Sequence, residues 1–238
     1  MIESSKTWNF NGDYFLIGDE FTYKRRNVIP NGEVIHHLSD IIQKTSVEFT
    51  SFSILSRKNI NVPNIYYHST IINMLWKWKC AYYLILPYNK IINYNKFIII
   101  RPDMYISNNT NYQYIDNFKP SKDTIYTTSF PHIENINNED LTWVNDLFLI
   151  FDKNTFFKIS QLYDIYVESY NEKNYGDIHT FLGIVFKKMN ITVQGGFINY
   201  IDFVILTDNV VNNLFENYKL KNEYTYTDVV KKINEEYI

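Results

Sequence analysis

A run of four apolar residues, Phe97-Ile98-Ile99-Ile100, constrains the fold of this chain more than any other segment. The run consists of strong β-formers and has no polar face, so a strand made of it must be covered on both sides. Strands of this kind lie at the centre of sheets that carry helices on both faces. Strand and helix patterns alternate through most of the chain. The sequence therefore predicts an α/β domain with a mixed, mainly parallel sheet flanked by helices.

Capping residues and apolar spacing predict where the helices lie. Ser69 is expected to cap a helix that closes at Pro87. Either Asp152 or Asn154 is expected to cap a later helix. Apolar residues at helical spacing from Val34 predict another helix near the N-terminus. No linker rich in Pro, Gly or Ser divides the 238 residues, so we expect one domain over 1–238.

Charge and cysteine content exclude several classes of protein. The chain has 23 Lys and Arg against 26 Asp and Glu, without a basic stripe, which argues against a nucleic-acid-binding protein. Its single cysteine, Cys80, excludes a disulfide framework and a four-cysteine zinc site. The N-terminus lacks the apolar core of a signal peptide, and Lys77 and Lys79 interrupt the longest apolar stretch. We therefore expect a cytoplasmic protein that is not secreted and has no membrane span.

The amino-acid usage follows a base bias in the genome. The chain has 33 Ile and 30 Asn but only one Ala, as A/T-rich codons would produce. Such a bias is typical of AT-rich organisms and large DNA viruses, and for a viral protein the expected location is the host cytoplasm or the virion. Asn clusters are background in such a sequence. Arg is scarce, with four in the chain, so an Arg in an unusual setting is informative.

The segment Arg101-Pro102-Asp103 is such a setting, because it follows directly after the apolar strand. In open α/β sheets, ligands bind beyond the carboxyl ends of the strands. A cation and a carboxylate at this point can meet an anionic ligand or a metal ion, and Pro102 restrains the backbone between them. The alternative is a salt-bridged turn at the end of a strand.

A second polar pair, Asn145-Asp146, stands immediately before the apolar segment 147–151. Two hydrogen-bonding side chains at the start of a buried strand either bind a ligand or cap the strand. An Asx-turn leading into the strand is therefore the alternative interpretation.

Together the two segments resemble the small glycosyltransferase-like domains of GT-A type found in bacterial polysaccharide clusters and giant viruses. The resemblance rests on the strand ending in Arg101-Pro102-Asp103 and on Asn145-Asp146-Leu147-Phe148, followed by two helices and a short strand. It covers roughly residues 95–195. The implied fold is GT-A-like and Rossmann-related, and the implied activity is sugar transfer from a nucleotide-sugar donor to a glycan or other acceptor hydroxyl.

The resemblance also implies roles for individual residues. Arg101 and Asp103 would lie on the side of the diphosphate leaving group, and Asp146 would act as the catalytic base for the acceptor, with Asn145 orienting it or the sugar. His179 would contact the donor or a metal, against the alternative of a surface helix residue. The chain lacks the Asp-x-Asp that usually holds Mn²⁺ or Mg²⁺. Asp103 could serve as a single metal-binding carboxylate, or Arg101 could neutralise the diphosphate without a metal. The missing motif also leaves open a catalytically inactive glycosyltransferase-like protein that serves in binding.

Overall fold

A computed structural model describes residues 8–19, 21–23, 34–37, 42–45, 47–55, 70–101, 104–106, 110–128, 132–136, 139–169, 178–196 and 203–205. The strands of this part of the chain are β1 Tyr14–Asp19, β2 Phe21–Tyr23, β3 Val34–His37, β4 Phe49–Leu55, β5 Phe97–Ile100, β6 Met104–Ile106, β7 Thr124–Thr127, β8 His132–Ile136, β9 Glu139–Trp143, β10 Phe148–Phe151, β11 Thr192–Gln194 and β12 Phe203–Ile205. The helices are α1 Thr70–Ile92, α2 Tyr112–Asn117, α3 Lys153–Ser160, α4 Leu162–Ser169 and α5 Ile178–Lys188.

The largest sheet in the described part has four strands in the order β11-β7-β10-β5. β10 is antiparallel to both of its neighbours, and β11 is parallel to β7. Three strands therefore run in one direction and β10 runs in the other. The predicted mixed α/β architecture is confirmed at this level. The expectation of a mainly parallel sheet is wrong for this sheet, because β10 lies between β5 and β7 and pairs with both in antiparallel orientation.

Helices and loops cover both faces of this sheet, as the alternation along β10 makes clear. Leu149 and Phe151 belong to a core that includes buried side chains of α1, α3, α4 and α5. Phe148 and Ile150 belong to a second core, which includes Ile115 of α2. Successive side chains of a strand point to opposite faces, so β10 joins the two cores. All four of its residues are fully buried.

The run that led the sequence analysis forms β5, and its side chains also alternate between the two cores. Phe97 and Ile99 pack in the first core, and Ile98 and Ile100 pack against the second. The prediction of cover on both sides is confirmed. A central position is not found among the described strands, where β5 ends the order and pairs with β10 alone. β10 occupies the covered position that was expected for β5.

Helix α1 continues beyond Pro87 to Ile92, so the prediction that Pro87 closes it is wrong. Proline cannot donate the hydrogen bond that the carbonyl of Tyr83 would accept in a regular helix. Both Tyr83 and Pro87 are exposed to solvent, where water can satisfy that carbonyl. The last turn is held by packing, since the Tyr88 ring lies 5.2 Å from the ring of Phe15 in β1. The predicted cap, Ser69, lies outside the described residues.

Two other local predictions have opposite outcomes. Val34 begins strand β3 and not a helix, because the segment pairs with β2 in an antiparallel hairpin. Asp152 caps α3, where its side chain accepts a hydrogen bond from the backbone N–H of Thr155.

Among the helices that the structure describes, none has both the length and the apolar character needed to cross a membrane. The single domain over 1–238 stays a prediction.

Candidate functional site

Arg101, the first residue of one polar segment singled out in the sequence, meets the other segment, Asn145-Asp146, at one edge of the four-stranded sheet. Because β5 and β10 are antiparallel, the carboxyl end of β5 lies beside the amino end of β10, with Ile100 opposite Phe148. One residue further on, the backbone N–H of Arg101 donates to the carbonyl oxygen of Leu147 at 3.3 Å. Arg101 is thus bonded to the residue that follows Asp146. If β5 and β10 were parallel, the two segments would lie at opposite ends of these strands.

The carboxyl ends of two more strands reach the same edge. β7 is also antiparallel to β10, so Thr128, which follows β7, lies at this edge. β11 is parallel to β7, and Gly195 and Gly196 follow its last residue. Gly196 has a φ of +104°, a conformation that favours glycine. The edge therefore combines three strand ends with the turn that opens β10.

Asn145 stabilises the turn that leads into β10. Its Oδ1 accepts a hydrogen bond from the backbone N–H of Leu147 at 3.0 Å. This is the Asx-turn that the sequence left open as the alternative. With its oxygen taken by the backbone, Asn145 is suited to orienting Asp146. A direct contact of Asn145 with a sugar stays a prediction.

Asp146 and His179 are brought together by the packing of α5 on β9. The backbone N–H of Val144, which follows β9, donates to the carbonyl oxygen of His179 at 3.5 Å. His179 Nδ1 lies 2.7 Å from the carbonyl oxygen of Val144 and 4.0 Å from Asp146 Oδ1. Since a carbonyl oxygen can only accept, the proton of the neutral imidazole is on Nδ1. A protonated imidazole would form an ion pair with Asp146.

The side chains of this pair are partly shielded from water. Asp146 is 12% exposed and His179 is 26% exposed. Coulombic interactions are stronger there than at a fully solvated surface, yet both groups remain within reach of a ligand. A carboxylate beside an imidazole at a partly open edge can bind and exchange protons. His179 is therefore placed by the structure next to Asp146, a proximity that the sequence analysis did not predict.

The metal prediction rests on Asp103, which lies outside the described residues together with Pro102. On either side of them, the backbone N–H of Met104 donates to the carbonyl oxygen of Arg101 at 3.1 Å, which ties the start of β6 to the end of β5. In the described ranges no three His, Cys, Asp or Glu side chains are grouped so that they could hold a metal ion. A metal role for Asp103 stays a prediction, as does the alternative of a salt-bridged turn.

Thr128 is a residue at this edge that the sequence analysis missed. It is completely buried, and its Oγ1 has no hydrogen-bond partner within the described part of the protein. Buried polar groups are nearly always hydrogen-bonded, so such an exception calls for an explanation. The sequence signal was weak: Thr127-Thr128 ends an apolar strand, where threonine is common as a β-former.

The edge thus combines a guanidinium group, a carboxylate, an imidazole and a hydroxyl group. A cation suits a ligand rich in anionic oxygen atoms. The carboxylate beside the imidazole suits proton transfer to or from such a ligand. No protein-family model matches this chain, and no curated protein is significantly similar to it. The inference about function therefore depends on the residues of this edge and on the resemblance noted above.

Proposed function

We propose that this protein is a glycosyltransferase that moves a sugar from a nucleotide-sugar donor to an acceptor hydroxyl at the edge formed by Arg101, Asp146 and His179. The observation that carries the proposal is the meeting of the Arg101 and Asp146 segments, which are remote in sequence and joined by a backbone hydrogen bond. These are the two segments on which the resemblance to GT-A domains rests. Ligand sites at the carboxyl ends of strands in open α/β sheets support the same edge.

Each of the three side chains has a role in the proposed transfer. In an inverting reaction, Asp146 takes the proton of the acceptor hydroxyl as its oxygen attacks the anomeric carbon. The bond between that carbon and the diphosphate breaks, and the diphosphate leaves with the electron pair. Arg101 stabilises the negative charge on the leaving group. His179, whose Nδ1 lies 4.0 Å from Asp146 Oδ1, contacts the donor beside this carboxylate.

The first test is donor binding by the complete chain. We expect a nucleotide-sugar to raise the melting temperature, because a ligand that binds only the folded state stabilises it by mass action. UDP-, GDP- and CMP-sugars would be compared in parallel, each with and without Mn²⁺. A shift that requires Mn²⁺ would support the metal role of Asp103. If no donor changes the melting temperature, the proposal fails.

The second test separates catalysis from folding with Asp146→Asn. Losing a positioned base typically lowers the rate ~10²–10⁴-fold. Donor binding should stay close to the parent, and the variant should remain folded, because asparagine keeps the shape of the aspartate side chain. Asp103→Asn should also lose transfer, but it should weaken donor or metal binding as well. Transfer would be measured as nucleotide released in the presence of acceptor, a nucleoside diphosphate from UDP- and GDP-sugars and CMP from CMP-sugars.

Glu48→Gln is the matched control, because it neutralises an exposed carboxylate in another part of the chain. It should keep parental activity. Full activity of Asp146→Asn, or its unfolding, would mean that Asp146 is a structural residue at the start of β10. A parent protein that binds a donor but transfers nothing would support the alternative, a glycosyltransferase-like binding protein without activity.

A further inference from the structure

Helices α1 and α3 expose a continuous apolar surface on the outside of the first core. Tyr83, Pro87 and Ile91 follow at intervals of four residues and so share one face of α1. Tyr83 is 60% exposed and Ile91 is 85% exposed, and Phe157 of α3 is 50% exposed. The Tyr82 ring lies 5.6 Å from the ring of Tyr83 and 5.9 Å from that of Phe157, so it bridges the two helices.

We call this region, together with the exposed Ile92, the α1–α3 surface. Single exposed apolar side chains are normal, but a contiguous group of them marks an interaction site. Elsewhere in the described part, Phe52 and Tyr114 are exposed singly on β4 and α2. Only the α1–α3 surface, among the described residues, combines large exposed apolar side chains from two packed helices.

The charged side chains within α1 and α3 are all lysines, and the carboxylate of Asp152 caps the start of α3 beside Lys153. Neither α1 nor α3 contains an acidic residue. Lys79 and Lys158 form ion pairs with Asp164 and Asp123. Lys90 and Lys153 are exposed, and Lys153 Nζ donates to the neutral amide oxygen of Asn93 at 3.4 Å.

This positive surface belongs to a chain whose formal net charge is −3. The two lysines therefore make this surface positive, whereas the whole molecule is negative. Two copies of the surface brought together would oppose like charges. A partner with negative charge and an apolar interior matches both features.

We propose that the α1–α3 surface docks the protein onto the surface of an anionic lipid bilayer. Tyrosine rings and isoleucine side chains enter the boundary between head groups and acyl chains, where amphipathic aromatic groups are favoured. Lys90 and Lys153 bind the anionic head groups, and each lysine near such a surface contributes roughly a fivefold gain in binding. The helices lie on the bilayer and do not cross it. This inference is independent of the proposed transfer activity.

The test is co-flotation of the complete protein with vesicles of phosphatidylcholine alone and of phosphatidylcholine mixed with phosphatidylserine. We expect binding to the mixed vesicles and little binding to the neutral ones. Ile91→Ser should lower binding about tenfold, because it removes an apolar side chain that would otherwise be buried. Lys90→Glu should lower it at least about fivefold. These positions are exposed, so the variants should keep the melting temperature of the parent.

Two variants control for nonspecific effects. Phe52→Ser removes an exposed aromatic ring from β4, and Lys187→Glu makes the same charge change on α5. Both should bind like the parent. The proposal is overturned if the parent binds neither kind of vesicle, or if the control variants lose as much binding as Ile91→Ser and Lys90→Glu. It is also overturned if sedimentation finds a dimer that Ile91→Ser dissociates, because a second copy would then cover the surface.

Discussion

Thr128 and Thr155 are both completely buried threonines, and they differ in whether the hydroxyl group is hydrogen-bonded. Thr155 Oγ1 donates to Asp152 Oδ1 at 2.5 Å. Thr128 Oγ1, at the edge that carries the proposed site, has no partner among the described residues. An unpaired hydroxyl in the interior costs about 1–3 kcal/mol relative to a paired one. Thr128 therefore carries a free-energy cost that Thr155 does not.

Replacing each threonine with valine keeps the shape and removes the hydroxyl. Thr128→Val should raise the free energy of unfolding by about 1 kcal/mol, because it removes an unpaired buried polar group. Thr155→Val should lower it by a similar or larger amount, because it breaks a hydrogen bond to a charged oxygen. Urea denaturation of the two variants and the parent measures both changes. A loss of stability in Thr128→Val would contradict the prediction and mean that its hydroxyl is paired.

At the scale of elements, the start of α3 depends on one carboxylate. Asp152 Oδ1 accepts from the backbone N–H of Thr155 at 2.9 Å and from its hydroxyl group. The negative charge also interacts favourably with the positive end of the helix. Phe156 and Ile159 of this helix pack into the first core, so the cap sets where these side chains enter it.

Asp152→Ala should lower the free energy of unfolding by about 1–2 kcal/mol, the upper range for loss of an N-cap. Asn154→Ala is the matched control, because Asn154 was the other predicted cap and is exposed within the first turn. It should change stability by about 0.5 kcal/mol or less. Thermal or urea unfolding followed by far-UV circular dichroism would compare them. Equal losses in the two variants would refute the assignment of Asp152 as the cap.

At the scale of the whole molecule, three phenols and one thiol make the stability of the protein decrease at alkaline pH. Burial is the main cause of a raised pKa for the phenols of Tyr14, Tyr94 and Tyr163, and also for the thiol of Cys80. A hydrogen bond from Tyr94 to Asp13 raises the phenol pKa further. The folded protein therefore retains protons that the unfolded chain releases above pH 9 for the thiol and above pH 10 for the phenols.

The sign of the effect follows from proton binding. Where the folded state holds more protons than the unfolded state, stability falls as pH rises. The contribution of the four groups is fully present below their unfolded pKa values and is lost as pH passes through the raised ones. Lys96 acts in the opposite direction, because burial lowers its pKa from 10.5, but it is one group against four. Net stability should therefore decrease above about pH 10.

Urea midpoints at a series of pH values from 8 to 11, followed by circular dichroism, measure this loss. Tyr94→Phe cannot ionise, so its midpoint should fall less steeply above about pH 10 than that of the parent. Tyr83→Phe is the control, because Tyr83 is well exposed and lies outside these contacts. Its profile should follow the parent. A stability that stays constant or rises up to pH 11 would contradict the prediction.

The features that the sequence by itself determined are local ones. The strand character of 97–100 and the need to cover both of its faces follow from four apolar β-formers in a row. Short polar side chains that bond to backbone groups two or three residues away predict a turn as one of two interpretations of Asn145, and a helix cap at either Asp152 or Asn154. These interactions involve residues that are neighbours in the chain, so the spacing of residue types is enough to predict them.

The tertiary structure alone decided the features that depend on distant segments. The antiparallel insertion of β10 between β5 and β7 brings Arg101 beside Leu147, and the packing of α5 on β9 brings His179 to Asp146. Local spacing predicts a helix end at Pro87 and a helix start at Val34, and both predictions are wrong, because packing of the last turn and strand pairing depend on distant residues. Strand order and direction are set by which apolar faces fit together across the whole chain. The proposed site exists only where that fit brings its residues to one edge.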